Sequence, residues 1–224
     1  MSAASDRLSL IFTAVLALCA IVVTALVVRR EFTIPAPKVE SATPSPRIVE
    51  DWVNLTAGAP RIGSREAPVH IIEFFDYQCP FCRNLHRVLS LVRERNSEQV
   101  TVIYKHLPLW KIHPRAREAA LAAECANDQG KFEAYHDLLF ENQKQLFSVR
   151  WDSLAERIGI PDLSVFRSCM EEERPAGRIE RDVVQAESLG IRSVPTLIIN
   201  GRVVQGARPL DELEKLVLEA MQSR

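Results

Sequence analysis

The sequence predicts an α/β domain built from a strand–helix–strand half and a strand–strand–helix half, with a helical block between them and one apolar span in front. Three observations predict it. An apolar run, Val69 to Phe75, leads into a helical pattern and then into a second apolar run, Val100 to His106. The stretch from Pro114 to Gly190 carries helical periodicity and no strand pattern. After it come two short apolar runs split by Asn200-Gly201, and then an amphipathic segment. With 224 residues, 47% of them hydrophobic, the chain has room for one domain with a full core. Its formal net charge of −1 gives no electrostatic case for nucleic acid as a partner.

Leu8 to Val28 carries no charge, and about 20 apolar residues span a bilayer as a helix. A cleaved signal has a shorter apolar core and a small-residue exit. This run ends instead at Val27-Val28-Arg29-Arg30, so residues 1–30 are expected to be an uncleaved anchor, spanning at about 8–28. Cys19 lies within it as an apolar residue. Arg7 before the span and Arg29 and Arg30 after it leave the orientation open. Residues 31–50, with Pro35, Pro37, Pro44 and Pro46, read as an extended tether. The folded domain is expected over residues 51–224.

Val69 to Phe75 is apolar on both faces, as a central strand is. Phe81, Leu85, Val88, Leu89 and Val92 then recur at helical spacing, predicting a helix over Cys79 to Asn96 with Pro80 in its first turn. Val100 to His106 closes a right-handed βαβ unit. Pro114 to Lys144 reads as two helices broken near Asp128-Gln129-Gly130, and Asp152 to Gly159, Asp162 to Glu172 and Pro175 to Gly190 as three more. The helical insertion thus covers about 112–190. Val194 to Asn200 and Arg202 to Gln205 form a hairpin, because Asn200-Gly201 supplies the positive φ angles of a tight primed turn. Leu210 to Met221 is the closing helix.

Cys79 and Cys82 bracket Pro80-Phe81 at the front of the first helix. A helix N-terminus presents unpaired N–H groups and positive potential, and both favour thiolate over thiol. Cys79 is therefore expected to be an acidic, exposed nucleophile, and Cys82, one turn in, the buried resolving thiol. Glu73 on the preceding strand would lie beneath the pair and exchange a proton with Cys82; a solvated strand-edge position is the other reading. A zinc site would need a second pair or two placed histidines, and a Cys–His hydrolase has no use for the second thiol. No metal and no cofactor are expected. His86, His106, His113 and His136 read as surface residues or as support for the site. Pro195, in Ser193-Val194-Pro195-Thr196, sits at the entry to a strand, where a cis bond would expose the Val194 backbone for strand-like pairing with a substrate peptide; an ordinary trans proline at a strand start is the alternative.

The segments Glu73-Phe74-Phe75, Cys79-Pro80-Phe81-Cys82, Ala123-Glu124-Cys125-Ala126, Gln129-Gly130-Lys131-Phe132, Val194-Pro195-Thr196 and Ile199-Asn200-Gly201 resemble, in order, the membrane-anchored branch of the DsbA-like thiol:disulfide oxidoreductases. The resemblance covers about Asp51 to Arg224. It implies a thioredoxin fold with a helical insertion, Cys79 as attacking thiol, Cys82 as resolving thiol, Glu73 as buried acid, and Pro195 in cis opposite the cysteines, with Val194, Pro195 and Thr196 binding substrate. It implies a disulfide oxidase acting on exported proteins with free thiols and reoxidised by a quinone-linked membrane partner. Pro80-Phe81 departs from the Pro-His of the best-known oxidase, so a reductase or isomerase of the same fold, or a peptide-binding module, stays open. Oxidising chemistry belongs outside the cytoplasm, which sets the domain on the periplasmic or external face of the bacterial cell membrane. In that compartment the remaining pair, Cys125 and Cys169, would form a structural disulfide stapling the helical block, or stay as two buried thiols.

Overall fold

The structure is a computed structural model and describes residues 15–26 and 47–223. Residues 15–26 are helical, with the Thr24 hydroxyl donating to the Ala20 carbonyl at 2.8 Å. The expected span of about 8–28 extends beyond the described residues at both ends, and most of the expected tether lies outside them. Among the described residues no helix is long and apolar enough to cross a membrane.

Residues 47–223 form one compact unit. Its five strands are β1 (Arg61–Ile62), β2 (Val69–Phe75), β3 (Val100–His106), β4 (Thr196–Ile199) and β5 (Arg202–Gln205), in the order β1-β3-β2-β4-β5. The β2–β3 pair is parallel and the others antiparallel. The helices are α1 (Pro80–Arg95), α2 (Ala116–Asn127), α3 (Phe132–Glu141), α4 (Trp151–Arg157), α5 (Leu163–Glu171), α6 (Ala176–Ser188) and α7 (Leu210–Gln222). After β1, a short strand the sequence did not predict, the order is βαβ, a helical block, then ββα, as the sequence predicts. The folded unit starts earlier than the expected Asp51. The Val49 N–H donates to Gly201 at 2.8 Å and the Val203 N–H donates to Arg47 at 2.8 Å, so the tether's end lies along β5 and covers part of that sheet edge.

Strand β2 is central, and its alternation builds two cores. Ile72 and Phe74 face one side with Ile103, Ile198, Ala186 and Ile191. Val69, Ile71 and Phe75 face the other with Leu85, Leu89, Val92 and Leu213, which belong to α1 and α7. Glu73, between Ile71 and Phe75, shares the α1 side by parity. The Asn200-Gly201 turn has φ of 43° and 94°. A Cβ on Gly201 would sit 2.9 Å from the Trp52 ring, so the turn needs glycine for space as well as for angle. Asn200 also ties the hairpin to β2: its Oδ1 accepts from the His70 N–H at 2.9 Å and its Nδ2 donates to Pro68 at 3.1 Å.

The insertion is α2 to α6, fastened to the sheet by polar contacts as well as by packing. Lys105, 3% exposed, pairs with Asp182 of α6, whose other oxygen accepts from the His106 N–H at 2.8 Å. A charge this deep is tolerated only when paired. Glu124 of α2 meets both His106 at 3.2 Å and Arg178 of α6 at 2.9 Å. Cys125 and Cys169 are joined as a disulfide between α2 and α5, with Cα atoms 5.9 Å apart.

Candidate active site

Helix α1 begins at Pro80 because Cys79 caps it in an extended conformation (φ −73°, ψ 120°) and proline suits the first helical position. Leu85, Leu89 and Val92 bury the far side of the helix and fix its angle on the sheet. Both cysteines carry free thiols in the structure. Cys82 is fully buried. Cys79 is 4% exposed, so it is not the open thiol expected from its helix-terminal position. The difference has a tertiary cause: the loop carrying Val194 closes over it, and the Cys79 thiol donates to the Val194 carbonyl at 3.7 Å.

The two sulfurs are electrostatically unequal. The hydrogen bond from Cys82 lowers the Cys79 thiol from its ordinary value to about 6, against the effect of burial, and the N–H groups of Cys82 and Phe81 add to it. Burial pushes Cys82 far upward, and its bond to Cys79 and the charge of Glu73 push the same way. Glu73 is fully buried, and neither carboxyl oxygen has a hydrogen-bond partner among the described residues. Burial first, and the Cys79 charge second, raise it to about 8. Its position is thus the interior one, not the solvated strand edge.

Glu73 makes stability depend on pH in a fixed direction. Its folded value of about 8 lies above the ordinary 4.5. At pH values below 4.5 both folded and unfolded chains hold the proton, and the site is uncharged. As pH rises from there to 8 the unfolded chain ionises first, so stability is lost by up to about 1.4 kcal/mol per pH unit and then levels off. Reduced Glu73→Gln protein should therefore melt with wild type near pH 4 and above it at pH 8. Coincident melting curves at both pH values would show that Glu73 is not held uncharged in the fold.

The bond between Val194 and Pro195 is cis. Of the three residues expected to bind substrate, Val194 points its carbonyl at the Cys79 sulfur. The Pro195 carbonyl accepts from the Gly206 N–H at 2.8 Å. Thr196 is fully buried and donates its hydroxyl to the Ser193 carbonyl at 2.8 Å, so it braces the loop and does not face a groove.

Asp76 and Gln143 were not singled out by the sequence. The Asp76 carboxylate accepts from the N–H groups of Gln78 and Leu109, both at 2.7 Å, and meets His113 Nδ1 at 2.8 Å. Its place three residues before Cys79, in a turn, was the available signal. The Gln143 side chain donates to the carbonyls of Tyr77 at 2.8 Å and Cys79 at 2.9 Å. His136, fully buried, meets the Tyr77 hydroxyl at 2.9 Å, and His106 is 1% exposed. Neither is a surface histidine. His86 is held down to about 4, chiefly by burial.

A sheet of this order with a Cys-x-x-Cys pair at the front of α1 and a cis-proline loop against it defines a thioredoxin-fold dithiol protein. The chain belongs to the thioredoxin family, whose pattern it matches over residues 56–219. It is similar in structure to a thioredoxin-like oxidoreductase from Silicibacter pomeroyi, with TM-score 0.66 and 25% identity, covering 79% of this chain and 99% of that one. It shares its fold with BdbD from Bacillus subtilis (TM-score 0.66, 22% identity, 74% of this chain and 94% of that one). It shares it also with the thiol-disulfide exchange protein alpha-DsbA2 from Wolbachia pipientis (TM-score 0.62, 20% identity, 74% and 88%). Among curated sequences it is 38% identical over 163 residues to the Na(+)/H(+) antiporter NhaA 3 of Salinispora tropica, covering 72% of this chain. The match spans 24% of that antiporter's length, so sodium–proton exchange does not carry over to this chain.

Proposed function

We propose that this protein is a membrane-tethered, extracytoplasmic thiol:disulfide oxidase that donates a Cys79–Cys82 disulfide to the thiols of exported proteins. The observation that supports oxidation best is the acidity of Cys79, at about 6. A thiolate stabilised in the reduced form makes the disulfide form a stronger oxidant. The thioredoxin-family fold and the Cys125–Cys169 disulfide, which suits an oxidising compartment, support the wider reading. The uncharged run at about 8–28 supports the tether.

A substrate thiolate attacks Cys79 sulfur in the disulfide, and the S–S bond breaks toward Cys82. Cys82 leaves poorly as a thiolate, because burial disfavours its charge. Glu73, which holds its proton up to a pH of about 8, donates that proton to the departing sulfur. The substrate's second thiolate then attacks its own sulfur in the mixed disulfide and expels Cys79, a good leaving group because its thiolate is stabilised. The substrate dithiol loses two electrons and becomes a disulfide, and the pair becomes Cys79 thiolate and Cys82 thiol. A quinone-linked membrane protein takes the electrons back from the pair. The Val194 carbonyl, beside Cys79, offers strand-like pairing to the peptide around the attacking cysteine.

The steady-state redox form of the pair in cells tests the direction. Acid quenching and alkylation with a mass tag should find Cys79 and Cys82 mostly oxidised. A mostly reduced pair would mark a reductase or isomerase.

A further inference from the structure

We propose that Gln143 is a positioning residue through which the helical insertion sets the acidity of the Cys79 sulfur. It lies in the 3-10 turn Gln143–Gln145 between α3 and α4, 64 residues along the chain from Cys79. One amide nitrogen donates to two carbonyls, Tyr77 at 2.8 Å and Cys79 at 2.9 Å. These carbonyls sit on either side of Gln78, whose own side chain accepts from the Arg115 N–H at 2.6 Å. The loop that delivers the nucleophile is therefore held from the insertion side, while Asp76 holds its other end through the Gln78 and Leu109 N–H groups.

The Cys79 carbonyl also accepts the first bond of α1, from the Arg83 N–H at 3.2 Å. Fixing that carbonyl fixes the peptide planes that follow, and these carry the Phe81 and Cys82 N–H groups that lower Cys79. Without Gln143 the cap can turn, the N–H groups lose their aim at the sulfur, and the thiolate loses stabilisation. Other titratable groups face Cys79 from each side: Glu73 on β2, Asp76 with its partner His113, and Cys82 on α1. Replacing Gln143 alters none of them, since it meets the pair as an uncharged amide. Coupling of this kind is reciprocal, so the redox state of the pair also biases how tightly the insertion is held.

This rests on the reading of Cys79 as the reacting thiol. The test is the pH profile of Cys79 alkylation in the reduced full-length protein, wild type against Gln143→Met, which keeps the length of the side chain and removes its donor. The wild-type midpoint should lie near 6. In the variant it should move up, with alkylation at pH 6 slowed about threefold or more and rates converging at pH 9. Gln143→Leu, which also lacks a donor and adds no charge, should shift the same way and carries the test if the Met variant does not unfold cooperatively. Profiles that superimpose on wild type in a cooperatively folded variant would overturn the proposal. Failure of the oxidase reading would show separately, as a wild-type protein that does not pass its disulfide to protein thiols.

Discussion

Cys79→Ser should bring oxidation of protein thiols down to the uncatalysed rate, while Cys82→Ser should accumulate covalent complexes between Cys79 and substrates. The two sulfurs lie within one turn of each other yet differ in every physical respect that matters. Cys79 caps α1, is acidified to about 6, and lies against the Val194 carbonyl. Cys82 is one turn inside, fully buried, and held protonated by that burial. A serine hydroxyl at position 79 neither forms a disulfide nor leaves from one, so no partial activity should remain. With serine at position 82 the pair cannot form its own disulfide, but the Cys79 thiolate can still attack a disulfide already present in a substrate, expelling one substrate thiolate, and no Cys82 sulfur is left to break the mixed disulfide that results. Non-reducing electrophoresis of extracts should show adducts in the second variant and none in the first. The opposite pattern, with adducts through Cys82, would reverse the assigned roles. Both thiols lie inside the fold, so thermal melting of each variant should accompany the assay.

The paired change Cys125→Ala with Cys169→Ala should produce a large loss of stability while leaving the chemistry intact. The bond joins α2 to α5 across a sequence separation of 44 residues. Closing a loop of that length restricts the unfolded chain by about 4 kcal/mol in the chain-entropy description. For a domain of this size that corresponds to a drop in Tm of roughly 10 °C. Both cysteines belong to the core that also holds Phe166 and Tyr135, so the lost sulfur packing acts in the same direction. Thiol oxidation by the surviving variant at a temperature below its midpoint should match wild type, because neither residue takes part in the exchange. An unchanged Tm would mean that the helical block needs no covalent staple.

The sheet and helix order was legible because each element carried a local signal. Strand β2 is apolar on both faces, α1 has its proline and its repeat, and the hairpin has Asn200-Gly201. The inward side of Glu73 also follows from alternation along β2, where Ile71 and Phe75 take the same face. What escaped depends on segments distant in sequence. β1 is two residues long, too short for any period to show. The pairing of residues 47–49 with the end of the hairpin follows from the proximity of the chains and not from composition. Cys79 reads as exposed when only its own helix is considered, and the Val194 loop, folded over it from 115 residues away, reverses that. Gln143 has no motif around it, and its role exists only because the insertion brings it over the Tyr77 and Cys79 carbonyls. His106 and His136 look like ordinary polar residues in sequence, yet one joins the Glu124 network and the other sits among Phe75, Tyr77 and Tyr104.

The central claim is that the Cys79–Cys82 pair passes a disulfide to another protein. It is tested most directly by mixing the oxidised full-length protein with a reduced, unfolded polypeptide that carries two cysteines, and counting thiols on each by mass after acid quenching. The account predicts one disulfide gained by the polypeptide for each Cys79–Cys82 pair reduced, with Cys125 and Cys169 still joined and no transfer from Cys79→Ser protein. A polypeptide that stays reduced beside an oxidised pair, or one oxidised equally well by Cys79→Ser protein, would contradict it.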